Sequence, residues 1–262
     1  GSINLGEIEG VNIYRGITTG FNPAFIIDKE KRNELIKKDI CNKDLIKPML
    51  QGRNIRKWVF EKSNSFLLQT GYDIDIKKKY PRIFEHLKQY KQKLEGRADQ
   101  GINWRNLRAC KYYSEFEKEK IIWALTANKW VFAYDNEGHY LPSNGYILTS
   151  SEIPIKYLLS LMNSRLMKFY FGFIGIMTAG GAFTLKHETI FSLPVKIVSQ
   201  DEQKAFIKGV DKILAITKSS DYLQNQSKQQ KVKQYEQQID QLVYKLYGLT
   251  PDEIKIVKKN TK

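Results

Sequence analysis

Two tripeptides carry the charge pattern of metal-dependent phosphodiester cleavage. Asp75-Ile76-Lys77 and Glu253-Ile254-Lys255 match the acid-x-Lys half of such a site, and Asp252 offers a candidate first half. The acids would hold a divalent cation that polarises the phosphoryl oxygen. Asp252 and Glu253, however, are adjacent in a segment that reads as a helix, where neighbours point about 100° apart. They do not converge on one cation. His86, His139 and His187 lie far apart, and none has a metal-like neighbour at i+3 or i+4. His86, beside Glu85 on a helix, reads as a surface residue. No serine elbow, Cys–His pairing or phosphate-binding loop is found. The triplets read as solvated charge.

Asn22-Pro23-Ala24-Phe25 raises a second chemistry. It is one residue away from Asn-Pro-Pro-Phe, the loop that presents an adenine amino group for methyl transfer. That reaction needs a cofactor pocket, usually a glycine-rich strand, loop and helix. Only 21 residues precede Asn22, and the one double glycine, Gly180-Gly181, has no strand and helix arranged around it. Gly20, Asn22 and Pro23 are turn residues, and the segment reads as a turn.

The third chemistry is recognition. The chain of 262 residues holds 43 Lys and Arg against 28 Asp and Glu, a formal net charge of +15. Such a balance selects polyanionic partners, nucleic acid first. The cations recur between hydrophobic segments along the chain. Gln51 to Trp58 places Arg53, Arg56 and Lys57 around an aromatic, just after Lys47-Pro48. Arg97, Trp104, Arg105, Arg108 and Lys111 form a second group, and Thr178 to Lys186 a glycine-rich third. Arg reads guanine edges and Asn adenine edges with paired hydrogen bonds. Lys, Thr and glycine-loop N–H groups suit phosphates. Trp58 and Trp104 are expected in the core, given the area a Trp buries.

Positioning these groups requires a mixed α/β framework. Val11 to Ile17 and Ala24 to Asp28 read as strands, and Asp28 as the cap of a helix from Lys29. Pro81 opens an amphipathic helix with Ile83, Phe84, Leu87, Tyr90 and Leu94 on one face. Lys120 to Thr126 and Lys129 to Asp135 read as a hairpin turning at Ala127-Asn128. Gly145 to Thr149 reads as a strand, and Pro154 to Phe171 as one core helix. From Ser199 the pattern is helical. Val232, Tyr235, Ile239, Leu242 and Leu246 form a narrow seam between Asp221 and Leu246. Gly248 ends that helix, and Thr250-Pro251-Asp252-Glu253 starts another. The expected division is residues 1–2 as a remnant of tag removal, 3–198 as a recognition unit and 199–262 as a helical packing region. Cys41 and Cys110, without a signal peptide, are expected to be reduced and the chain cytoplasmic. No apolar run reaches the roughly 20 residues that span a bilayer.

The chain resembles the TaqI-like C-terminal specificity domains. These are target recognition domains of type IIG restriction-modification enzymes and related adenine-specific DNA methyltransferases. The resemblance runs through GITTGFNPAFIID (16–28), IKPMLQGRNIRKW (46–58), YPRIFEHLKQYKQKLEGRADQGINWRNLR (80–108) and EKIIWALTA (119–127). It continues in YLLSLMNSRLMKFYF (157–171), TLKHETIFSLPV (184–195) and IDQLVYKLYGLT (239–250). It implies a mixed α/β (α+β) recognition domain followed by spacer helices. It also implies a parent that methylates adenine with S-adenosylmethionine, and a possible Mg²⁺-dependent cleavage, through domains outside this chain. The implied partners are double-stranded DNA and those domains. Residue chemistry and loop position select Thr18, Thr19 and Asn22, then Lys47, Arg53, Arg56 and Lys57, then Arg105, Arg108 and Lys186 as DNA contacts. Arg53 and Arg105 are the candidates for base edges and the lysines for phosphates. An alternative is a protein-interaction module that docks through the seam of Val232 to Leu246.

Overall fold

The computed structural model describes residues 1–71, 74–98 and 100–261. Near the N-terminus, β1 (Ile3–Asn4) pairs antiparallel with β12 (Pro194–Val195). A central antiparallel sheet follows the order β2 (Val11–Arg15), β9 (Gly145–Ser150), β6 (Lys120–Ala124), β8 (Ala133–Asp135). Successive side chains of a strand point to opposite faces, and this sheet uses both. Ile121, Trp123, Tyr146 and Leu148 enter one hydrophobic core, whereas Ile122, Ile147 and Ala133 enter another. The register enforces this, pairing Ile121 with Leu148 and Ile122 with Ile147.

Helices close the first core. They are α6 (Ile155–Met162), α7 (Arg165–Ile174), α9 (Gln200–Thr217) and α10 (Gln226–Tyr247). They contribute Leu158, Phe171, Phe206, Ile213, Val232, Ile239 and Val243. A second antiparallel sheet closes the other core, ordered β3 (Ile26–Asp28), β5 (Ser65–Leu68), β4 (Ile46–Met49). Against it lie α1 (Asn22–Phe25), α2 (Lys29–Lys38), α3 (Ile76–Lys79), α4 (Pro81–Lys88) and α5 (Lys91–Glu95). They supply Phe25, Leu35, Ile76, Ile83, Leu87 and Leu94. A third small sheet runs β10 (Ile176–Met177), β11 (Phe183–Thr184), β7 (Thr126–Ala127), and α8 (His187–Phe191) and α11 (Pro251–Asn260) complete the chain.

The mixed α/β class is therefore observed. Asp28 caps α2 by accepting from the Lys31 N–H at 2.8 Å. Thr250 and Glu253 form a reciprocal capping box, and Gly248 ends α10 at φ +71°. Five local expectations are corrected. The helix expected from Pro154 to Phe171 breaks at Asn163 and Ser164. The Asn163 amide bonds both the N–H and the C=O of Phe132, and Ser164 caps α7 instead. Burial then shifts to Met167 and Phe171, leaving Leu166 and Phe169 half-buried. The long face from Pro81 likewise divides into α4 and α5. β6 does pair with β8, but Thr126–Ala127 peels away into the third sheet, so no tight turn joins them. His86 is buried, 6 % exposed, with Nε2 donating to the Ala24 carbonyl at 3.0 Å. Asn22–Phe25 is one helical turn, and Ile26, not Ala24, begins the strand.

Candidate nucleic-acid interface

The segment from Gly16 is fixed by its backbone. The Gly16 N–H donates to the Gly145 carbonyl at 2.8 Å and the Ile17 N–H to Leu141 at 2.7 Å. A Cβ at Gly16 would meet the Pro142 carbonyl oxygen at 2.0 Å, so only glycine fits. The chain then turns through Gly20, at φ +71°. Thr18 remains half-buried at a shallow groove of about 260 Å³, where Arg15, Arg108 and Tyr112 also lie. Thr19 is 3 % exposed, and its hydroxyl donates to the Asn22 Oδ1 at 2.6 Å. Asn22 itself is exposed, but Ala24 and Phe25 are fully buried. A catalytic loop needs its aromatic at an open site; here that side chain is core.

Arg97 binds this turn to the second cationic group. Its Nη1 donates to the Thr19 carbonyl at 2.5 Å, and its Nη2 to the carbonyls of Trp104 and Asn106 at 2.7 and 2.8 Å. The guanidinium is 8 % exposed and lies 5.0 Å from the Phe25 ring centroid. Asn106 extends the tie, its side chain donating to the Gly71 carbonyl at 2.8 Å. Arg105 is half-buried, and among the described residues its Nε has no hydrogen-bond acceptor. Arg108 is exposed at the Thr18 groove. Trp104 is half-buried, 5.9 Å from Phe84, whereas Trp58 is a core residue.

The loop before Trp58 separates its cations. Arg53 sits exposed on a single 3₁₀ turn, Gly52–Asn54, whose shape is set by the Gln51 N–H donating to the Asn54 side chain at 2.8 Å. Among the described residues, no ion pair reaches Arg53. Arg56 folds back along its own loop, donating to the Arg53 carbonyl at 2.6 Å and pairing with Glu61 at 2.5 Å. Lys57 pairs with Glu236 of α10 at 3.0 Å. Lys47 pairs with Glu117 at 3.3 Å. Lys186 is exposed just before α8, behind a segment held by the Trp123 Nε1–H donating to the Leu185 carbonyl at 3.0 Å. Thr18 and Arg108 are thus brought to one groove, and Arg53 and Lys186 are open cations. Arg56, Lys57 and Lys47 are engaged within the protein, and Thr19 acts inside its own turn.

A charged pair that could suggest catalysis is instead sealed in the central sheet. Lys120 and Asp135 are both fully buried and 2.7 Å apart. Asp135 also accepts from the N–H groups of Glu137 and His139 and faces the His139 ring at 3.1 Å. Burial alone would raise the Asp135 carboxyl; His139 and Lys120 hold it below its ordinary value. Asp75 caps α3 through the Lys78 N–H, and Asp252 and Glu253 are exposed on α11. Among the described residues, no three His, Cys, Asp or Glu side chains gather as metal ligands. No helix there is long and apolar enough to cross a membrane. Both cysteines are free thiols. Sequence reasoning grouped Arg97 with its neighbours but missed its bridging role, because the backbone carbonyls it meets, Leu94, Thr19, Trp104 and Asn106 among them, carry no side-chain signature.

Comparison with known proteins agrees with this architecture. The solved type IIL restriction-modification enzyme MmeI in complex with DNA has a TM-score of 0.72 at 12 % identity, over 91 % of this chain and 33 % of that one. The type IIG restriction endonuclease BpuSI has a TM-score of 0.53 at 13 % identity, over 93 % and 31 %. This chain therefore spans about a third of each solved relative. Type II methyltransferase M.MjaIV of Methanocaldococcus jannaschii is 26 % identical over 240 residues, 87 % of this chain and 76 % of its own. A family model described as "TaqI-like C-terminal specificity domain" matches residues 47–195. That match takes in more than half of the sequence and parts of both cores, and the chain belongs to the TaqI-like C-terminal specificity domain family.

Proposed function

We propose that this chain reads a short sequence in double-stranded DNA for a restriction-modification enzyme. Its parent methylates adenine using S-adenosylmethionine, and cleaves with Mg²⁺ if it carries a nuclease domain. In this reading both cofactors act in the parent's catalytic domains; among the described residues no three His, Cys, Asp or Glu side chains gather as metal ligands. The observation that carries the reading is the family match over 47–195. That stretch holds Lys47, Arg53, Arg105, Arg108 and Lys186. In this reading Arg53 and Arg105 face base edges, Thr18 and Arg108 line their own groove, Asn22 makes a further contact from its exposed turn, and Lys186 meets a phosphate. Arg56, Lys57 and Lys47 shape the loops through the ion pairs described above, and Thr19 sets the turn before Asn22.

The test is selection from a randomised duplex pool, followed by anisotropy titration at several salt concentrations. The expected result is enrichment of one short site, with each wrong base pair costing about 1–3 kcal/mol. Affinity should fall with salt, by about 0.9 in the log–log slope per phosphate contact. Unenriched, salt-insensitive binding would refute the reading. Plasmid incubated with this chain, Mg²⁺ and S-adenosylmethionine should remain uncut and unmethylated.

One observation favours a protein contact as a second role, although not through the expected seam. Val232, Ile239 and Val243 are at most 2 % exposed and are spent within this chain's first core. Tyr170, Phe173, Ile174, Ile176 and Met177, from α7 into β10, form a run of exposed apolar side chains, with Phe173 at 73 %. Such a patch suits a neighbouring domain of the parent. Loss of affinity for the separately produced catalytic domain on Phe173→Ser would support this role, and unchanged affinity would remove it.

A further inference from the structure

A second concentration of cations lies on the helical side of the sheet. Lys57, Lys129, Arg165, Lys168 and Lys233 line a cavity of about 500 Å³ between the Lys57 loop, the start of α7 and α10. A neighbouring groove of about 630 Å³ shares Arg165, Gln237 and Asp240 with it and adds Lys258. Two carboxylates stand in the cavity wall, and both are already bonded. Glu236 accepts the Trp58 Nε1–H at 2.6 Å and pairs with Lys57 at 3.0 Å. Asp240 accepts the Arg165 backbone N–H at 2.9 Å and faces its Nε at 3.4 Å. The N-terminus of α7 is thereby occupied, with Ser164 capping it as well.

The lysines remain. Among the described residues, Lys129, Lys168 and Lys233 take part in no ion pair. Lys168 reaches only the Thr261 carbonyl, at 3.1 Å. Burial, and then the charges of Lys57 and Arg165, push its ammonium below the ordinary lysine value. The like charges therefore feel one another across the cavity, and an anion placed among them would relieve the repulsion. The backbone at the rim is constrained too. Trp58 is the only described non-glycine residue with positive φ, at 73°, and its indole is tied to Glu236. Lys57, which lines the cavity, is thus followed directly by a fixed core residue.

The cavity is joined to the candidate base-reading loop. Lys57 is four residues from Arg53, so their Cα atoms lie at most about 14 Å apart. That is roughly the rise of four base pairs. A duplex read by Arg53 would run its backbone past the mouth.

We propose that this cleft binds backbone phosphodiesters of the same duplex and extends the DNA footprint onto α7 and α10. The inference rests on the DNA-reading function proposed above. Its test is the joint substitution Lys129→Gln, Lys168→Gln and Lys233→Gln in the full chain, with Lys204→Gln and Lys255→Gln as a control on exposed, locally paired lysines. The log–log salt slope for duplex binding should become shallower by about 2–3, at about 0.9 per lost phosphate contact. The ranking of duplex sequences and the melting temperature should stay unchanged, and the control should keep the wild-type slope. An unchanged slope, or an equal change in the control, overturns the cleft assignment while sequence-selective wild-type binding preserves the function proposed above. A wild-type chain that binds no duplex removes both. Inorganic phosphate at constant ionic strength separates the sources. If it raises the melting temperature of the wild type alone and the duplex slope does not move, the cleft takes free phosphate, and the backbone assignment is wrong.

Discussion

The two faces of the central sheet are secured by different physics. On the helical face most of the rules are local, with the tie of Asn163 to Phe132 as an exception. Ser199 with Glu202, and Thr250 with Glu253, cap their helices reciprocally, and apolar residues three and four apart on α10 supply the packing. On the loop face a few buried polar residues join distant parts of the chain. Arg97 reaches 78 residues back to Thr19, and His86 reaches 62 residues back to Ala24. A surface of diverging loops cannot rely on repeating patterns. It depends on single nodes, each with a large share of the order.

The largest test of this contrast is Asp135→Ala, at the sheet that both faces share. It strands a buried Lys120 ammonium, and removing one partner of such a pair costs about 3–5 kcal/mol. Urea denaturation measures it, and a loss under about 1 kcal/mol would mean the pair does not anchor the wall. Next comes Arg97→Ala. It strips donors from the carbonyls of Thr19, Trp104 and Asn106 and should cost about 3 kcal/mol, the upper range for a hydrogen bond to a charged group. Arg97→Lys should recover part of the stability but not the duplex preference, because an ammonium cannot reproduce the fork between two loops. On the helical face, Thr250→Ala should cost only about 1 kcal/mol. A loss there as large as that of Arg97→Ala would erase the distinction.

The mildest test is acidity. Burial holds the His86 imidazole below its ordinary value of 6.5. Its Nε2 carries the proton donated to Ala24, and its Nδ1 has no buried partner to receive a second. Below pH 6.5 the unfolded chain binds a proton that the folded chain refuses, so stability falls with pH in that window. Above it the contribution is complete. The denaturation midpoint should decline from pH 7 to pH 5, and His86→Gln should flatten part of that decline.

The sequence made one face far more legible than the other. Thr250-Pro251, Gly248 and the spacing on α10 announce their elements because caps and periodicity are short-range. The sheet strands at Val11 and Gly145 were legible for the same reason. Asn163 was not, because its role depends on Phe132, 31 residues away. His86 looked solvated because its neighbour Glu85 is; only the fold supplies the Ala24 carbonyl. Among the candidate contacts, residue type identified Arg53 as a cation in a loop but could not reveal that Arg56 turns back onto Glu61. The α7–α10 cleft draws cations from separate segments, so no window of sequence contains it.

Neighbouring positions of β6 and β9 feed opposite cores, which makes parity a rule of inheritance. One residue inserted inside either strand would hand each core the other's side chains. Additions in turns outside the strands and clear of the Arg97 ties leave the count intact. Chimeras assembled from relatives should therefore tolerate exchange when their seams fall in those turns, and collapse when a seam shifts a strand by an odd step. The wall acts as a chassis on which loops can be exchanged without rebuilding it.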